Sequence, residues 1–358
     1  MKIGILGSGQ LGWMIILEGR RLGHRFLVMD SAKGPASEIA DKSYSNESYR
    51  EFLRECDVVT YEFENIPMEI LEAASDEGKL LPSIDAIRIK KKRSTEKDYL
   101  AGKGFRVAPY HVCGTFDEAL DRAASFGDAV IKTSSEGYDG KGQFRVRHGQ
   151  YTGERPVDQE FVVEKFVPFD YEASVIVSRD ITGTTYCYRP SLNFNYAGKL
   201  RYSYSPLRGR KMEEIALRLV KELDYVGTMG IEFFRDGADY MINEIAPRVH
   251  NTGHHTLRGF SVSQFEQHVL AVTGSEIIKP EQFVPSGVVN IIGNWPDNEA
   301  EKRIISMGGT TIYNYFKQAR KGRKLGHVNV CSLSFSALSE KIRETDRILY
   351  GNKADLFF

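Results

Sequence analysis

The fold is decided by MINEIAPRVHNTGHHT, residues 241–256, together with the segment that precedes it. VGTMGIEFF at 226–234 and the first residues of the quoted stretch both have the composition of strands, and the turn sequence RDGAD separates them. An Asp-Gly turn between two such runs is typical of a β-hairpin. A symmetric register would place Glu232 directly opposite Glu244 on one face of that hairpin.

This pair of glutamates predicts a cation site. Cβ atoms directly opposite each other on neighbouring strands are roughly 5 Å apart, where two like charges destabilise a sheet. Hard carboxylate oxygens suit Mg²⁺, which keeps several waters and takes further ligands from nucleotide phosphates. We therefore predict that Glu232 and Glu244 bind Mg²⁺. The alternative is a salt bridge from each glutamate to a nearby Lys or Arg.

Length and composition exclude several classes of protein. A chain of 358 residues is long enough for two or three domains. Forty-eight basic and forty-eight acidic residues leave no net charge, so we expect no nucleic-acid partner. The four cysteines are scattered without a CxxC pair, which argues against a disulfide framework and a zinc site. Without a long apolar run or a cleavable signal peptide, we expect a soluble cytoplasmic protein with no membrane partner.

The first 30 residues have the pattern of a dinucleotide-binding unit. The buried-strand run KIGIL is followed by GSGQLG at 7–12, a periodic helix, and the strand FLVMD, which ends in Asp30. An acidic residue about twenty positions after such a loop would bind a ribose hydroxyl. A nicotinamide-dependent dehydrogenase is therefore one hypothesis. The same glycines serve any βαβ unit whose helix begins beside a phosphate or sugar.

Polar residues also follow the strand-like run DVVTYEF at 57–63. Glu62 and Asn65 lie at its carboxyl end, which is the edge where open α/β sheets bind ligands. The alternative is that Asn65 caps a turn and that Glu62 is solvated.

The segment DAVIKTSSEGYDGKGQFRV at 128–146 predicts a glycine-rich hairpin over phosphates. Lys132 ends its first strand, and Lys141 lies in the loop among three glycines. The loop is not a Walker A motif, because its spacing differs and no Ser or Thr follows the lysine. No HRD or DFG sequence follows, which excludes a protein kinase. Grasp-like nucleotide folds remain.

At this point the chain resembles the ATP-grasp superfamily and, within it, the 5-(carboxyamino)imidazole ribonucleotide synthases, which carboxylate 5-aminoimidazole ribonucleotide with ATP and bicarbonate in purine synthesis. The resemblance extends from Ile3 to about His327. Its motifs are GSGQLG (7–12), YEFENIP (61–67), RSTEK (93–97), GYDGKGQ (137–143), EKFVPFDYEASVIV (164–177), NEIAPRVHNTGHHT (243–256), SQFEQH (263–268) and GRKLGHVNV (322–330).

The resemblance implies an α/β and α+β fold with three domains and an ATP-dependent carbon-nitrogen ligase activity. A Rossmann-like βαβ domain would comprise residues 1–92 and an ATP-grasp domain residues 93–270, with a small lid at about 105–165. Residues 271–358 would form a C-terminal domain that completes the active site. Family members are commonly homodimers, and ATP, Mg²⁺, bicarbonate and aminoimidazole ribonucleotide are the implied ligands.

The resemblance also assigns roles to individual residues. Arg93 and Lys132 would bind ATP phosphates, the loop 137–143 would cover them, the strand 164–167 would bind adenine, and Glu172 the ribose. The ATP set is Arg93, Lys132, Gly137, Tyr138, Asp139, Gly140, Lys141, Gly142, Gln143, Glu164, Lys165, Phe166, Val167, Glu172, Asn195, Asn243 and Glu244. The substrate set is Gln10, Glu62, Asn65, Tyr138, Asp139, Arg248, Asn251, Lys317 and Arg323. The catalytic set is Arg248, His250, Lys317 and Asp139.

Within these sets, Arg248 and His250 would bind bicarbonate or carboxyphosphate, and Lys317 with Arg323 the substrate's phosphate. The chain departs from the family at Ser8 and at residues 134–136. Asn195 stands where many relatives have His, and Tyr171 replaces a common Arg.

Other functions remain open on the sequence. A formate-dependent glycinamide ribonucleotide transformylase shares the PRxH-type segment but not GYDGKGQ. Biotin carboxylase is a longer chain. A dehydrogenase leaves residues 128–256 without a purpose, and a regulatory module without turnover would not need the full set of charged positions.

Overall fold

The amino-terminal part of the chain is a parallel α/β unit. The structure, a computed structural model, describes residues 1–135 and 142–351. Its first sheet has the strand order β3-β2-β1-β4, with all neighbours parallel. The elements are β1 (Lys2–Leu6), α1 (Gln10–Arg20), β2 (Arg25–Met29), α2 (Pro35–Ile39), β3 (Lys42–Tyr44), a 3₁₀ turn (Asn46–Ser48), α3 (Tyr49–Glu55), β4 (Val58–Tyr61), α4 (Met68–Asp76), α5 (Ile84–Lys90) and α6 (Arg93–Gly102).

A small antiparallel sheet follows, covered by one helix. Its strand order is β5-β8-β6-β7, and Phe116 of the helix packs at the centre of its core, in edge contact with Phe144 and Phe161. The helix is capped by Thr115, whose hydroxyl accepts a hydrogen bond from Glu118 N–H. The elements are β5 (Tyr110–Cys113), α7 (Phe116–Phe126), β6 (Ala129–Thr133), β7 (Gln143–Val146) and β8 (Phe161–Lys165).

The remaining strands form one large sheet of nine strands within the described residues. Its order is β14-β13-β9-β11-β12-β15-β17-β16, with β10 paired to β9. The elements are β9 (Tyr171–Arg179), β10 (Thr185–Cys187), β11 (Ser191–Tyr196), β12 (Lys199–Ser205), α8 (Arg210–Glu222), β13 (Gly227–Asp236), β14 (Asp239–Ala246), a 3₁₀ turn (Asn251–Gly253), α9 (Thr256–Gly259), α10 (Gln264–Val272), β15 (Ser286–Ile292), α11 (Asn298–Ser306), β16 (Thr310–Asn314), β17 (Lys324–Cys331) and α12 (Phe335–Tyr350).

The first sheet packs directly against the segment that follows the quoted hairpin. Ile5 and Met14 share one buried core with Val249, Phe265 and Val269. This packing brings the loop after β1 and the loop after β4 to the carboxyl end of β14. The site is therefore assembled from parts of the chain that are far apart in sequence.

The predicted elements agree with the structure, whereas the domain limits stay a prediction. The strands expected at 2–6, 26–30 and 57–63 are present as β1, β2 and β4, shifted by no more than two residues at any end. The boundary predicted at residue 271 lies inside α10, and the large sheet includes strands from both sides of it, because β12 pairs with β15.

Two exclusions made from composition can be compared with the coordinates. All four cysteines are free. No helix in the described residues is long and apolar enough to cross a membrane.

Candidate active site

The predicted pairing of Glu232 with Glu244 is confirmed, and a β-bulge produces it. Strands β13 and β14 meet at a two-residue turn, with Asp236 opposite Asp239 and Phe233 opposite Ile242. Continuing that register would place Asn243 opposite Glu232. Between Phe233 and Glu232 the register shifts by one residue, so Glu244 lies opposite Glu232 instead. The bulge therefore brings the two carboxylates to one face.

The two carboxylates have different surroundings. Lys90 Nζ lies 3.5 Å from Glu244 Oε2, and His250 Nε2 lies 3.7 Å from Glu232 Oε1. Burial and the charge of Glu244 raise the pKa of Glu232 to about 8. Burial acts in the same direction on Glu244, but Lys90 and the other nearby cations outweigh it and lower its pKa to about 2. The alternative of a salt bridge from Glu244 to a lysine is thus realised at Lys90.

The donor set fits a hard divalent cation that is completed by other ligands. A cation between the two carboxylates would remove the repulsion that raises the pKa of Glu232. In the part of the chain that the structure describes, no group of three or more His, Cys, Asp or Glu side chains could hold a metal. Two carboxylates with the remaining positions left to water and phosphate oxygens is the arrangement that Mg²⁺ prefers.

A buried carboxylate between two lysines lies near the Glu232–Glu244 pair. Glu164 accepts a hydrogen bond from Lys132 Nζ at 2.9 Å, and Lys97 Nζ lies 3.4 Å from its other oxygen. Burial raises the pKa of Glu164, but the two ammonium groups outweigh it and lower the pKa to about 2. Lys97 also donates to the carbonyl of Asn243 at 3.0 Å. This contact ties the bulge residue to the lysine pair.

Arg93 lies at the end of β6, and its phosphate role stays a prediction. Its guanidinium donates to Thr133 O at 2.7 Å, and its backbone N–H donates to Ser134 O at 2.9 Å. Ser134 is buried, and its hydroxyl lies 3.0 Å from that of Ser94. The serine at this position therefore packs the start of α6 against β6, which gives a structural reason for one departure from the family pattern.

The predicted ribose acid has a partner at the position where relatives have His. Asn195 Nδ2 donates to Glu172 Oε2. Burial raises the pKa of Glu172, and the hydrogen bond from Asn195 opposes this shift. In the strand predicted to bind adenine, the backbone N–H groups of Lys165 and Phe166 already donate to Pro109 O and Asp128 O. Val167 is buried at the end of that segment.

Part of the predicted phosphate loop lies outside the described residues, namely Gly137, Tyr138, Asp139, Gly140 and Lys141. Gly142 and Gln143, which follow, lead into β7. Gly142 has φ +66°, and a Cβ there would lie 2.4 Å from Thr133 Oγ1. A glycine is therefore required where the loop returns to the sheet.

His250 is packed tightly beside Glu232 and Glu244. Gly230 allows this, because a Cβ there would lie 2.4 Å from His250 Cβ. The ring Nδ1 lies 2.9 Å from Thr252 Oγ1, and the backbone N–H donates to Gln264 Oε1 at 2.9 Å. Burial, followed by the charge of Arg248, lowers the pKa of His250 to about 3. The imidazole is therefore neutral at physiological pH.

Arg248 lies two residues before His250 and pairs with Glu64, which the sequence did not suggest. Its Nε lies 3.0 Å from Glu64 Oε1, and its Nη1 donates to Val249 O at 3.1 Å. Near it, Asn251 Nδ2 is buried and makes no hydrogen bond to the described residues. An unpaired buried donor is costly without a ligand or water, so this group is available to a substrate oxygen.

The loop 7–12, after β1, binds a carboxylate of the protein itself. Glu62 is 4 % exposed, and its two oxygens accept hydrogen bonds from Gly9 N–H and, at 2.7 Å, from Gly12 N–H. The interpretation of Glu62 as a solvated side chain is therefore wrong. Asp30 accepts from Ser8 N–H at 2.8 Å. Both acids thus bind the loop where a dinucleotide would need its backbone N–H groups, which argues against the dehydrogenase hypothesis.

The predicted substrate residues at the start of α1 meet the carboxyl-terminal part of the chain. Lys317 Nζ donates to Gln10 Oε1. Burial lowers the pKa of Lys317, Glu62 opposes this effect, and Arg323 adds to it. Arg323 donates to Gln318 O at 3.3 Å. Asn65 is exposed, and its predicted role stays a prediction.

Comparison with known proteins identifies the family. The chain is 42% identical to N5-carboxyaminoimidazole ribonucleotide synthase of Saccharolobus solfataricus, over 99% of this chain and 98% of the relative. The chain belongs to the N5-carboxyaminoimidazole ribonucleotide synthase family. Family models for a ribonucleotide synthetase preATP-grasp domain, an ATP-grasp domain and a phosphoribosylaminoimidazole carboxylase C-terminal domain match residues 1–91, 98–265 and 286–341.

Solved structures of this family agree with the fold. The crystal structure of phosphoribosylaminoimidazole carboxylase ATPase subunit from Aquifex aeolicus has a TM-score of 0.86 at 39% identity, covering 98% of this chain and 100% of that one. The synthase from Aspergillus clavatus, solved with ADP and 5-aminoimidazole ribonucleotide, has a TM-score of 0.87 at 28% identity, covering 97% and 98%. The ATP-grasp fold and the ligase class predicted from the sequence are confirmed.

Three charged residues of the site were missed in the sequence. Lys90 pairs with Glu96 at 3.0 Å and with Glu244, Lys97 pairs with Glu164, and Glu64 pairs with Arg248. Lys90 and Lys97 both lie in the basic segment 88–100, where a solvated surface is the usual interpretation. Glu64 stands inside the quoted YEFENIP motif, which was the only signal for it.

Proposed function

We propose that the protein carboxylates 5-aminoimidazole ribonucleotide to 5-(carboxyamino)imidazole ribonucleotide, using ATP and bicarbonate and releasing ADP and phosphate, as a step of de novo purine biosynthesis. The observation that supports this most directly is the placement of Arg248 and His250 immediately after the strand that holds Glu244. An oxyanion-binding arginine therefore lies next to the carboxylate pair proposed to bind the metal.

The reaction requires activation of bicarbonate. Bicarbonate is a poor electrophile, so ATP would phosphorylate it to carboxyphosphate, which transfers its carboxyl group, directly or as carbon dioxide, to the amine. This intermediate must be protected from water. Closure of the loop 137–143 over the site would provide that protection.

Mg²⁺ would be held by Glu232 and Glu244. Bound there, it would supply positive charge for the phosphoryl oxygens. The remaining charges come from the chain. Lys132 is held in place by its hydrogen bond to Glu164 at 2.9 Å, and Arg93 is fixed at the end of the same strand. Such transfer depends mainly on positioning and electrostatic stabilisation.

Arg248 and His250 would act on the bicarbonate. A guanidinium binds a planar oxyanion through two parallel hydrogen bonds, which a lysine cannot do. The neutral ring of His250 would orient bicarbonate through a hydrogen bond, since a pKa of about 3 makes it a weak base. His250 is thus proposed to hold a substrate oxygen rather than to take the amine proton.

The substrate's phosphate would bind Lys317 and Arg323, with Gln10 positioning Lys317. Asn251 would donate to a substrate oxygen through its unpaired Nδ2. Tyr138 and Asp139 of the loop are proposed to face the same ribonucleotide. A cytoplasmic location and a homodimer complete the proposal, both by resemblance to the family.

ADP release tests the proposal. The protein is incubated with Mg²⁺-ATP and bicarbonate, with and without aminoimidazole ribonucleotide, beside tubes containing formate and glycinamide ribonucleotide. Turnover that rises with aminoimidazole ribonucleotide and gives product only with bicarbonate is the expected result. Activity with formate alone would identify a transformylase instead. Inactivity in both sets would contradict the ligase proposal.

A further inference from the structure

Two of the five N–H groups of Arg248 donate hydrogen bonds, and a third, on Nε, lies in an ion pair. Its Nε lies 3.0 Å from Glu64 Oε1, its Nη2 donates to Glu64 Oε2 at 3.4 Å, and its Nη1 donates to Val249 O at 3.1 Å. One N–H on Nη1 and one on Nη2 remain. In a planar guanidinium, one N–H of each terminal nitrogen points away from Nε, and these two groups are parallel.

That remaining pair has the geometry of a bidentate oxyanion site. Two parallel N–H groups match two oxygens of a carboxylate, a bicarbonate or a phosphate. Glu64 lies along the Nε and Nη2 edge, so the end of the fork is the part left for a ligand. The guanidinium is thereby fixed in one rotational state before any ligand binds.

Glu64 and Arg248 depend on each other for their polar contacts. Glu64 Oε1 and Arg248 Nε are both buried, and in the described ranges neither atom makes a hydrogen bond, so their 3.0 Å contact is an ion pair. The two side chains are 22% and 20% exposed. A charge in such a place is costly without its partner. Removing Glu64 would therefore free Arg248 to turn toward other carboxylates.

We propose that Glu64 is a positioning residue for Arg248, which holds the guanidinium so that its end-on fork faces the bicarbonate. This inference rests on the proposed function. Glu64 follows β4 in the amino-terminal unit, whereas Arg248 follows β14. The pair therefore makes the bicarbonate site depend on the docking of the first sheet against the large sheet.

The test uses Glu64→Ala and Glu64→Gln in the full chain, with Glu72→Ala as the matched control. Glu72 is an exposed glutamate of α4 that pairs with Arg88 on the surface. For each variant, KM for bicarbonate, KM for ATP, product formed per ADP and the thermal melting midpoint are measured. Glu64→Gln keeps the side-chain shape, so it remains informative if Glu64→Ala does not fold.

We expect Glu64→Ala to raise KM for bicarbonate about tenfold or more, because a displaced binding group loses its alignment. KM for ATP should change less than about twofold, and Glu64→Gln should show a smaller rise of the same kind. Adding Glu64→Gln to an Arg248→Lys variant should have little further effect, since both changes act through one guanidinium.

Two results would overturn the proposal. One is an unchanged KM for bicarbonate in both variants of Glu64. The other is a fall in the melting midpoint and in kcat while KM for bicarbonate and KM for ATP change by the same factor, which would indicate a structural role only. Failure of the proposed function is a separate result, because the unmodified protein would then form no bicarbonate-dependent product.

Discussion

Glu244 faces Glu232 across two antiparallel strands only because the ladder is interrupted one residue before Glu244. The β-bulge lies opposite the Glu232–Phe233 step of β13 and leaves Asn243 as the extra residue on β14. The carbonyl of Asn243 accepts a hydrogen bond from Lys97 at 3.0 Å. The same irregularity thus creates the carboxylate pair and connects it to the buried lysine beside Glu164. Bulges are common next to active sites for this reason.

Glu244→Ala should reduce ATP turnover by about 100-fold or more, because one carboxylate does not fix a Mg²⁺ ion and its charge is lost from the phosphoryl site. Steady-state ADP release measures this, and Mn²⁺ titration followed by electron paramagnetic resonance measures metal binding directly. Glu276→Ala, at an exposed glutamate, serves as control. Normal turnover in Glu244→Ala would contradict the metal assignment.

Arg248→Lys should impair coupling more than ATP binding. A lysine keeps the charge but loses the two parallel donors, so bicarbonate would be held less firmly while ATP still binds. We expect less carboxylated product per ADP, with KM for ATP within about twofold of the original value. Arg258→Lys is the matched control, since Arg258 is exposed and donates to Tyr313. An unchanged yield per ADP would remove Arg248 from the bicarbonate site.

Asn195→Ala should weaken ATP binding specifically. Asn195 donates to Glu172, the proposed ribose acid, and removing it leaves a carboxylate whose pKa is already raised by burial with one donor fewer. We expect KM for ATP to rise severalfold, by about 1 kcal/mol of binding energy, with KM for bicarbonate unchanged. Asn195→His should restore most of the affinity. Equal effects on both substrates would argue for a structural role.

Glu164→Gln should lose stability in a pH-dependent manner. The folded-state pKa of Glu164, about 2, lies below its usual value of 4.5. Its ionised form therefore stabilises the fold above pH 4.5, and this contribution disappears as the pH falls toward 2. Urea unfolding at several pH values should show a difference from the unmodified protein on the order of 2 kcal/mol at neutral pH that shrinks in acid. A difference independent of pH would contradict the ion-pair explanation.

Local patterns predicted much of this structure. The two strand-like runs on either side of the Asp-Gly turn predicted the hairpin, and two acidic positions on it were enough to predict a paired site. The buried run at 2–6 predicted the central strand of a parallel sheet. Glu62 was placed at the correct end of its strand. Such features depend on neighbours within about 20 residues, which a single sequence contains.

Contacts between distant segments could not be predicted in this way. Glu64 and Arg248 are 184 residues apart, and Lys97 meets the backbone of Asn243 across a similar interval. The loop 7–12 matched a dinucleotide motif, yet its N–H groups bind Glu62, which follows another strand. The register shift at Asn243 also left no mark on the residue pattern. Each of these depends on packing between sheets.

The transfer of labelled carbon from bicarbonate to aminoimidazole ribonucleotide tests the proposed carboxylation. The protein, Mg²⁺-ATP, aminoimidazole ribonucleotide and ¹³C-bicarbonate are combined at mildly alkaline pH and followed by ¹³C nuclear magnetic resonance. A carbamate resonance that grows in step with ADP and is absent without ATP is the predicted result. ADP release without any labelled carbamate, while the ribonucleotide stays intact, would contradict the proposed carboxylation.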